Sequence, residues 1–166
     1  MSLMIGVDPG AKCGIAVVRE APNKVPECLW TATVGIDKLS VALPTLLDSW
    51  RLDFTVPFCV ETASFHAHRG SSQRSATICA RNAGFIHGYL VGAGVDRIEI
   101  VTVAQTRKAL GLSGNCSKKE LHAFLENPSV VCGERGSNEH TRDAIAIALA
   151  GHSRIRQREV LDRARE

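Results

Sequence analysis

Four side chains that can bind a divalent cation or move a proton stand at telling places in the sequence: Asp8, Glu61, His140 and Asp143. Asp8 ends the apolar run Leu3 to Val7 and meets the turn Pro9-Gly10, so its carboxylate projects from the rim of a sheet instead of lying in its core. Glu61 ends the apolar run Phe54 to Val60 in the same manner. If those two strands are neighbours, both acids converge on one rim. His140 and Asp143 are three residues apart at the head of an alanine- and isoleucine-rich helix, a spacing that puts both on one face. Carboxylates brought together raise each other's pKa unless a cation neutralises them, which makes a divalent metal the economical resident. Oxygen-rich ligation favours Mg2+ or Mn2+, and Mn2+ tolerates the imidazole better. Singly, an acid beside a turn is more often a turn or cap residue. Only the set points to metal chemistry.

Basic residues supply the second kind of chemistry. Between Thr62 and Lys119 there are eight arginines and lysines against two acids, Asp96 and Glu99, although net charge is only +3. That imbalance suits a polyanionic partner. Ser117-Lys118-Lys119-Glu120 has the form of a capping box, so a helix starts at Ser117 and offers a phosphate its first backbone N–H groups together with Lys118 and Lys119. The segment Phe65 to Arg74 carries Arg69, Arg74 and the pair His66 and His68. The histidines have zinc-like proximity but no further ligand pair, and read as facing that polyanion or solvent.

The elements that must position these groups follow from periodicity. Leu3 to Val7, Gly14 to Val18 and Cys28 to Val34 read as three strands. Leu39, Leu43, Leu46, Leu47 and Trp50 fall at helical spacing, with Pro44 expected to kink that helix or delay its start. Phe54 to Val60 is a fourth strand, Ser71 to Leu90 a long helix, and Ile98 to Val103 a fifth strand. Ser137 is the expected cap of a last helix through Asp143 to Ala150. The result is an α/β domain with a mixed five-stranded sheet flanked by helices, covering residues 1–153, followed by a polar tail, 154–166, that is either frayed helix or disordered.

In order along the chain, Ile5-Gly-Val-Asp8-Pro-Gly10, Val60-Glu61, Gly114-Asn-Cys-Ser-Lys118 and His140-Thr-Arg-Asp143-Ala-Ile-Ala-Ile-Ala148 resemble the RuvC family of Holliday-junction resolvases, within the RNase H-like superfamily. The resemblance runs from about residue 3 to 152. It implies an RNase H-like fold and four metal-binding, catalytic positions carried onto Asp8, Glu61, His140 and Asp143, the third being histidine where many members have aspartate. It also implies two Mg2+ or Mn2+ ions per site, held ~3.5 to 4 Å apart for phosphodiester hydrolysis that leaves a 5′ phosphate. Lys118 matches a basic position of the family's motif. The Phe65 to Arg74 segment matches a loop that enters the junction, where Phe65 is either a wedge against unstacked bases or a buried residue. The implied partners are a four-way DNA junction and a second copy of the chain, since paired nicks on opposed strands need twofold symmetry. Ile78, Phe85 and Tyr89 either form that interface or pack on the sheet. The implied setting is the cytoplasm of a bacterial or phage-infected bacterial cell.

Bulk properties agree. With 166 residues, 45% hydrophobic and 22% charged, the chain fits one globular domain. No apolar run reaches the ~20 residues of a membrane span, and the start lacks the basic n-region of a secretory signal. Six scattered cysteines without a Cys-x-x-Cys pair read as reduced thiols, several acting as small hydrophobes. The sugar-kinase and actin ATPases open similarly but need a duplicated domain and a second phosphate-binding turn that this sequence lacks. Nucleases acting on structured RNA or other branched DNA, and a catalytically weak junction-binding protein, remain the alternatives.

Overall fold

The computed structural model describes residues 1–49, 52, 55–63 and 73–165, the side chains of residues 73–75 excepted. Strands β1 (Ser2–Asp8), β2 (Lys12–Glu20) and β3 (Glu27–Gly35) form an antiparallel meander. A 3₁₀ turn, Ile36–Lys38, leads into α1 (Leu39–Ser49), then come β4 (Phe58–Thr62), α2 (Gln73–Gly92), β5 (Ile98–Thr102), α3 (Val103–Ala109), α4 (Lys118–Leu125), β6 (Cys132–Gly133) and α5 (Glu139–Arg163). The sheet order is β5-β4-β1-β2-β3-β6. β4 runs parallel to β1 and to β5, and β6 runs parallel to β3, so the sheet is mixed, as the sequence implied. It has six strands, not five. β6 is only two residues long, too short for alternation to register in sequence.

The strands alternate between two cores, as the period of two in a strand requires. Met4, Ala16, Val18, Cys59 and Val101 face α5, while Ile5, Val7, Ile15, Val17, Phe58 and Val60 face α1 and α2. Ala83, Ile86 and Leu90 bury the inner side of α2 in the second core. Small residues set how closely α5 lies on the sheet. A Cβ at Gly6 would stand 2.1 Å from Ala144 O, and one at Gly14 only 1.9 Å from His140 O. The two glycines therefore admit the backbone of α5 to contact distance with β1 and β2.

Helix α1 continues through Pro44. Proline has no N–H to give to the carbonyl four residues back. That carbonyl is Ser40 O, and Tyr89 of α2 donates its hydroxyl to it at 3.2 Å. Tyr89 is thus partly buried against the second core, as the packing alternative has it, whereas Phe85 is 52% exposed.

Further boundaries differ from expectation. The fourth strand starts at Phe58, after a turn and bend at Thr55 and Val56 and then Pro57, and Trp50 and Phe54 lie outside the described residues. The fifth strand stops at Thr102, which caps the unforeseen helix α3: its hydroxyl accepts from Gln105 N, and Gln105 bonds back to Thr102 N. Asn138, not Ser137, caps α5, through a capping box with Thr141. The stretch from Arg154 is helix as far as Arg163. Arg158 donates to both carboxylate oxygens of Glu99 (2.6 and 2.9 Å) and Arg154 adds a third bond at 3.4 Å, so an acid only 1% exposed in β5 is matched by α5.

Candidate active site

Parallel pairing of β1 with β4 matches Val7 to Val60, so one step further Asp8 and Glu61 stand side by side where both strands end. Each lies beyond the apolar core and is half-buried. α5 brings the other two groups to this rim. Asn138 fastens the start of α5 to β3 by donating to Thr33 Oγ1 at 2.9 Å. In the first turns of the helix His140 Nδ1 lies 3.0 Å from Asp8 Oδ2, and Asp143 is buried against α4. The turn after Asp8 is fixed from the opposite side. Asn82 of α2, itself buried, donates its side-chain amide to both Pro9 O and Gly10 O at 3.2 Å.

Asp143 is engaged at both oxygens: Lys118 Nζ lies 2.7 Å from Oδ2 and His122 Nε2 lies 2.8 Å from Oδ1. Lys118 also reaches Glu139 at 3.3 Å. Glu61 Oε1 accepts from Thr106 Oγ1 of α3 at 3.1 Å. Between these groups is a cleft of about 40 Å³ lined by Glu61, Thr106, Arg107, Lys118 and Asp143. Arg107 donates to Gly114 O at 3.3 Å, and its Nε is the one buried polar side-chain atom without a partner among the described residues.

The electrostatics are those of crowded acids. Burial, with Asp8 and Asp143 adding their charge, pushes Glu61 up to about 8 against the smaller pull of Thr106 and Arg107. Asp8 is raised as well, by burial first, while its bond to His140 opposes the shift. Burial works against the charge of Lys118, but Asp143 and Glu139 outweigh it and hold the ammonium up. The carboxylates thus sit where their charge is under-compensated, which is the condition a cation relieves.

With the side chains as they stand, no three Asp, Glu, His or Cys groups among the described residues are close enough together to hold a metal ion. The donor set nonetheless fits a hard divalent cation: three carboxylates and one imidazole at one rim, with the Lys118 ammonium lying on one oxygen of Asp143.

Of the residues chosen from sequence, Asp8, Glu61, His140 and Asp143 share this rim, His140 contacting Asp8 and Asp143 facing α4. Lys118 joins them. Lys119 is exposed on the first turn of α4, whose cap is Ser117 as expected. Phe65, His66, His68, Arg69 and the side chain of Arg74 lie outside the described residues. All six cysteines are free, Cys13, Cys28 and Cys59 being buried. Sequence reading missed Asn82, Thr106, Arg107 and His122. A signal existed for Thr106 and Arg107, because Thr102-Val-Ala-Gln105 has the spacing of a capping box and announces α3. Asn82 and His122 carry no such mark.

Compared with solved structures, the chain superposes on Thermus thermophilus RuvC in complex with a Holliday junction substrate at a TM-score of 0.73, with 20% identity over 95% of this chain and 96% of that one. The chain has the RuvC fold. A second structure of Thermus thermophilus RuvC matches at a TM-score of 0.67 and 20% identity, covering 93% of this chain and 96% of its own. The yeast mitochondrial Holliday junction resolvase Ydc2 matches at 0.59 and 11% identity, over 92% of this chain and 78% of that one. No protein-family model and no curated protein matches the sequence. The RuvC fold, with its mixed sheet and flanking helices, is the RNase H-like architecture expected from the motifs.

Proposed function

We propose that the chain is a divalent-metal-dependent endonuclease that resolves four-way DNA junctions. The observation that carries this reading is the meeting of Asp8 and Glu61, on adjacent parallel strands, with His140 and Asp143 at the start of α5 in a RuvC fold. Asp8, Glu61, His140 and Asp143 would hold two Mg2+ or Mn2+ ions, which when bound supply activation of water and stabilisation of the departing oxygen. The chain's own part is to fix these donors and to seat the phosphate. Lys118 and Lys119, on the capped first turn of α4, offer charge and backbone N–H groups to it. Phe65, Arg69 and Arg74 are the further residues assigned to DNA. In the reaction a P–O bond forms to water, the bond to the 3′ oxygen breaks, and the product end keeps a 5′ phosphate.

Two symmetric nicks require two sites, so a homodimer completes the proposal. The outer side of α2 offers the surface: Arg81, Phe85 and Val91 are exposed there, and nothing crowds Gly84 or Gly88.

Cleavage mapping on a fixed four-way junction with Mg2+ and with Mn2+ tests the reading, with an RNA/DNA hybrid and structured RNA alongside. Paired nicks at symmetric positions are expected, and Asp8→Asn should bind the junction while cutting at least ~100-fold more slowly. Wild-type rates in Asp8→Asn would overturn the site. Preference for the hybrid or the RNA would move the protein to the ribonuclease reading. A junction bound yet uncut in both metals would leave a binding protein.

A further inference from the structure

Lys118 and His122 are one helical turn apart on α4, so they share a face and reach the two oxygens of Asp143 together. Their contacts differ in kind. The Lys118 side chain is 53% exposed and divided between Asp143 and Glu139. It is a long, flexible ammonium that can turn to an arriving phosphate. The His122 side chain is only 13% exposed, and Leu121 and Leu125 beside it anchor α4 in the core under α5. A half-rigid ring in a nearly dry contact is suited to a permanent bond; an exposed lysine is suited to exchange.

We propose that His122 is a positioning residue of the active site, its Nε2–H donating to Asp143 Oδ1 so that Oδ2, the oxygen now facing Lys118, is the one presented to a divalent cation. This rests on the metal-nuclease reading above. A carboxylate free to turn about its last torsion offers either oxygen and spreads its charge over several directions. One hydrogen bond from a fixed ring removes that freedom. Partners of this kind, one bond behind the ligand, typically change metal affinity ~10- to 100-fold when removed. Packing alone does not account for the geometry: a histidine kept only to fill space has no reason to aim a ring nitrogen at the buried acid 2.8 Å away.

The test is Mn2+ binding to the full chain, followed by calorimetry and by the paramagnetic resonance of free Mn2+, in wild type, His122→Leu and His122→Gln. Thermal midpoints in EDTA serve as the folding control. Weakening by ~10- to 100-fold is expected in His122→Leu, with most of the loss recovered in His122→Gln, whose amide nitrogen can donate from a similar reach. Wild-type affinity in His122→Leu, or no recovery in His122→Gln, overturns the role. Should His122→Leu fail to fold, His122→Phe keeps a ring without a donor and carries the same comparison. Absence of Mn2+ binding by the wild type at millimolar concentration would instead remove the metal reading itself, and this inference with it.

Discussion

Glu61 is held at about 8 by burial and by the neighbouring charges of Asp8 and Asp143, and Asp8 is raised in the same direction. The folded protein therefore binds protons that the unfolded chain releases above its ordinary carboxylate range. Stability contributed in this way is complete below about pH 4.5 and is lost as pH rises through about 8. In EDTA the thermal midpoint should fall between pH 5 and 8, and Glu61→Gln should flatten that slope. His152 works in the opposite sense. Burial first lowers its pKa, so its share is present above about pH 6.5 and is lost on acidification. The difference between wild type and Glu61→Gln isolates the carboxylate. Saturating Mg2+ should raise the wild-type midpoint most at the alkaline end, where the acids are ionised and most in need of a cation. A wild-type midpoint that rises steadily from pH 5 to 8 in EDTA would contradict the burial of Glu61.

At the scale of elements, the start of α5 is set by what the sheet lacks. Gly14 leaves room for His140 O, and no side chain fits there without moving the helix. Gly14→Ala should displace the turn that carries His140 and Asp143, costing about 1–3 kcal/mol from overpacking and lowering cleavage more than junction binding. Denaturant unfolding and nicking rates measure the two effects separately. The far end of α5 performs a different task. Arg154 and Arg158 satisfy the buried acid Glu99, and Arg97 adds an outer pair with Glu159 at 3.9 Å. Truncation after residue 153 removes both partners of Glu99 and should destabilise the protein by about 3–5 kcal/mol, the usual cost of stranding a buried charge. A truncated chain of wild-type stability would support treating 154–166 as a dispensable tail.

For the whole molecule, the proposed paired nicking needs two sites related by a twofold axis. If the outer side of α2 meets its copy, Phe85→Asp should yield monomers in sedimentation and single nicks in place of paired ones. A dimer unaltered by that charge would place the interface elsewhere. Among the described residues no helix is long and apolar enough to cross a membrane.

The sequence by itself determined the first five strands, the helices other than α3, and the placing of Asp8 and Glu61 at strand ends and of His140 and Asp143 at a helix start, because each follows from local rules. Short apolar runs bounded by turn residues give the strands, a carboxylate at a strand end must leave the core, and Ser117 caps its helix through neighbours three residues away. Even α3 was written locally, in Thr102 and Gln105. Tertiary structure alone decided what surrounds those residues. Asn82 meets Pro9 and Gly10 across 73 and 72 positions, and His122 meets Asp143 across 21. Tyr89 answers the carbonyl that Pro44 leaves without its helical partner, and arginines of α5 answer Glu99. These contacts pair groups whose periodicity carries no information about each other, because their distance is set by how α2, α4 and α5 pack on the sheet and, for α5, by the glycines that let it approach.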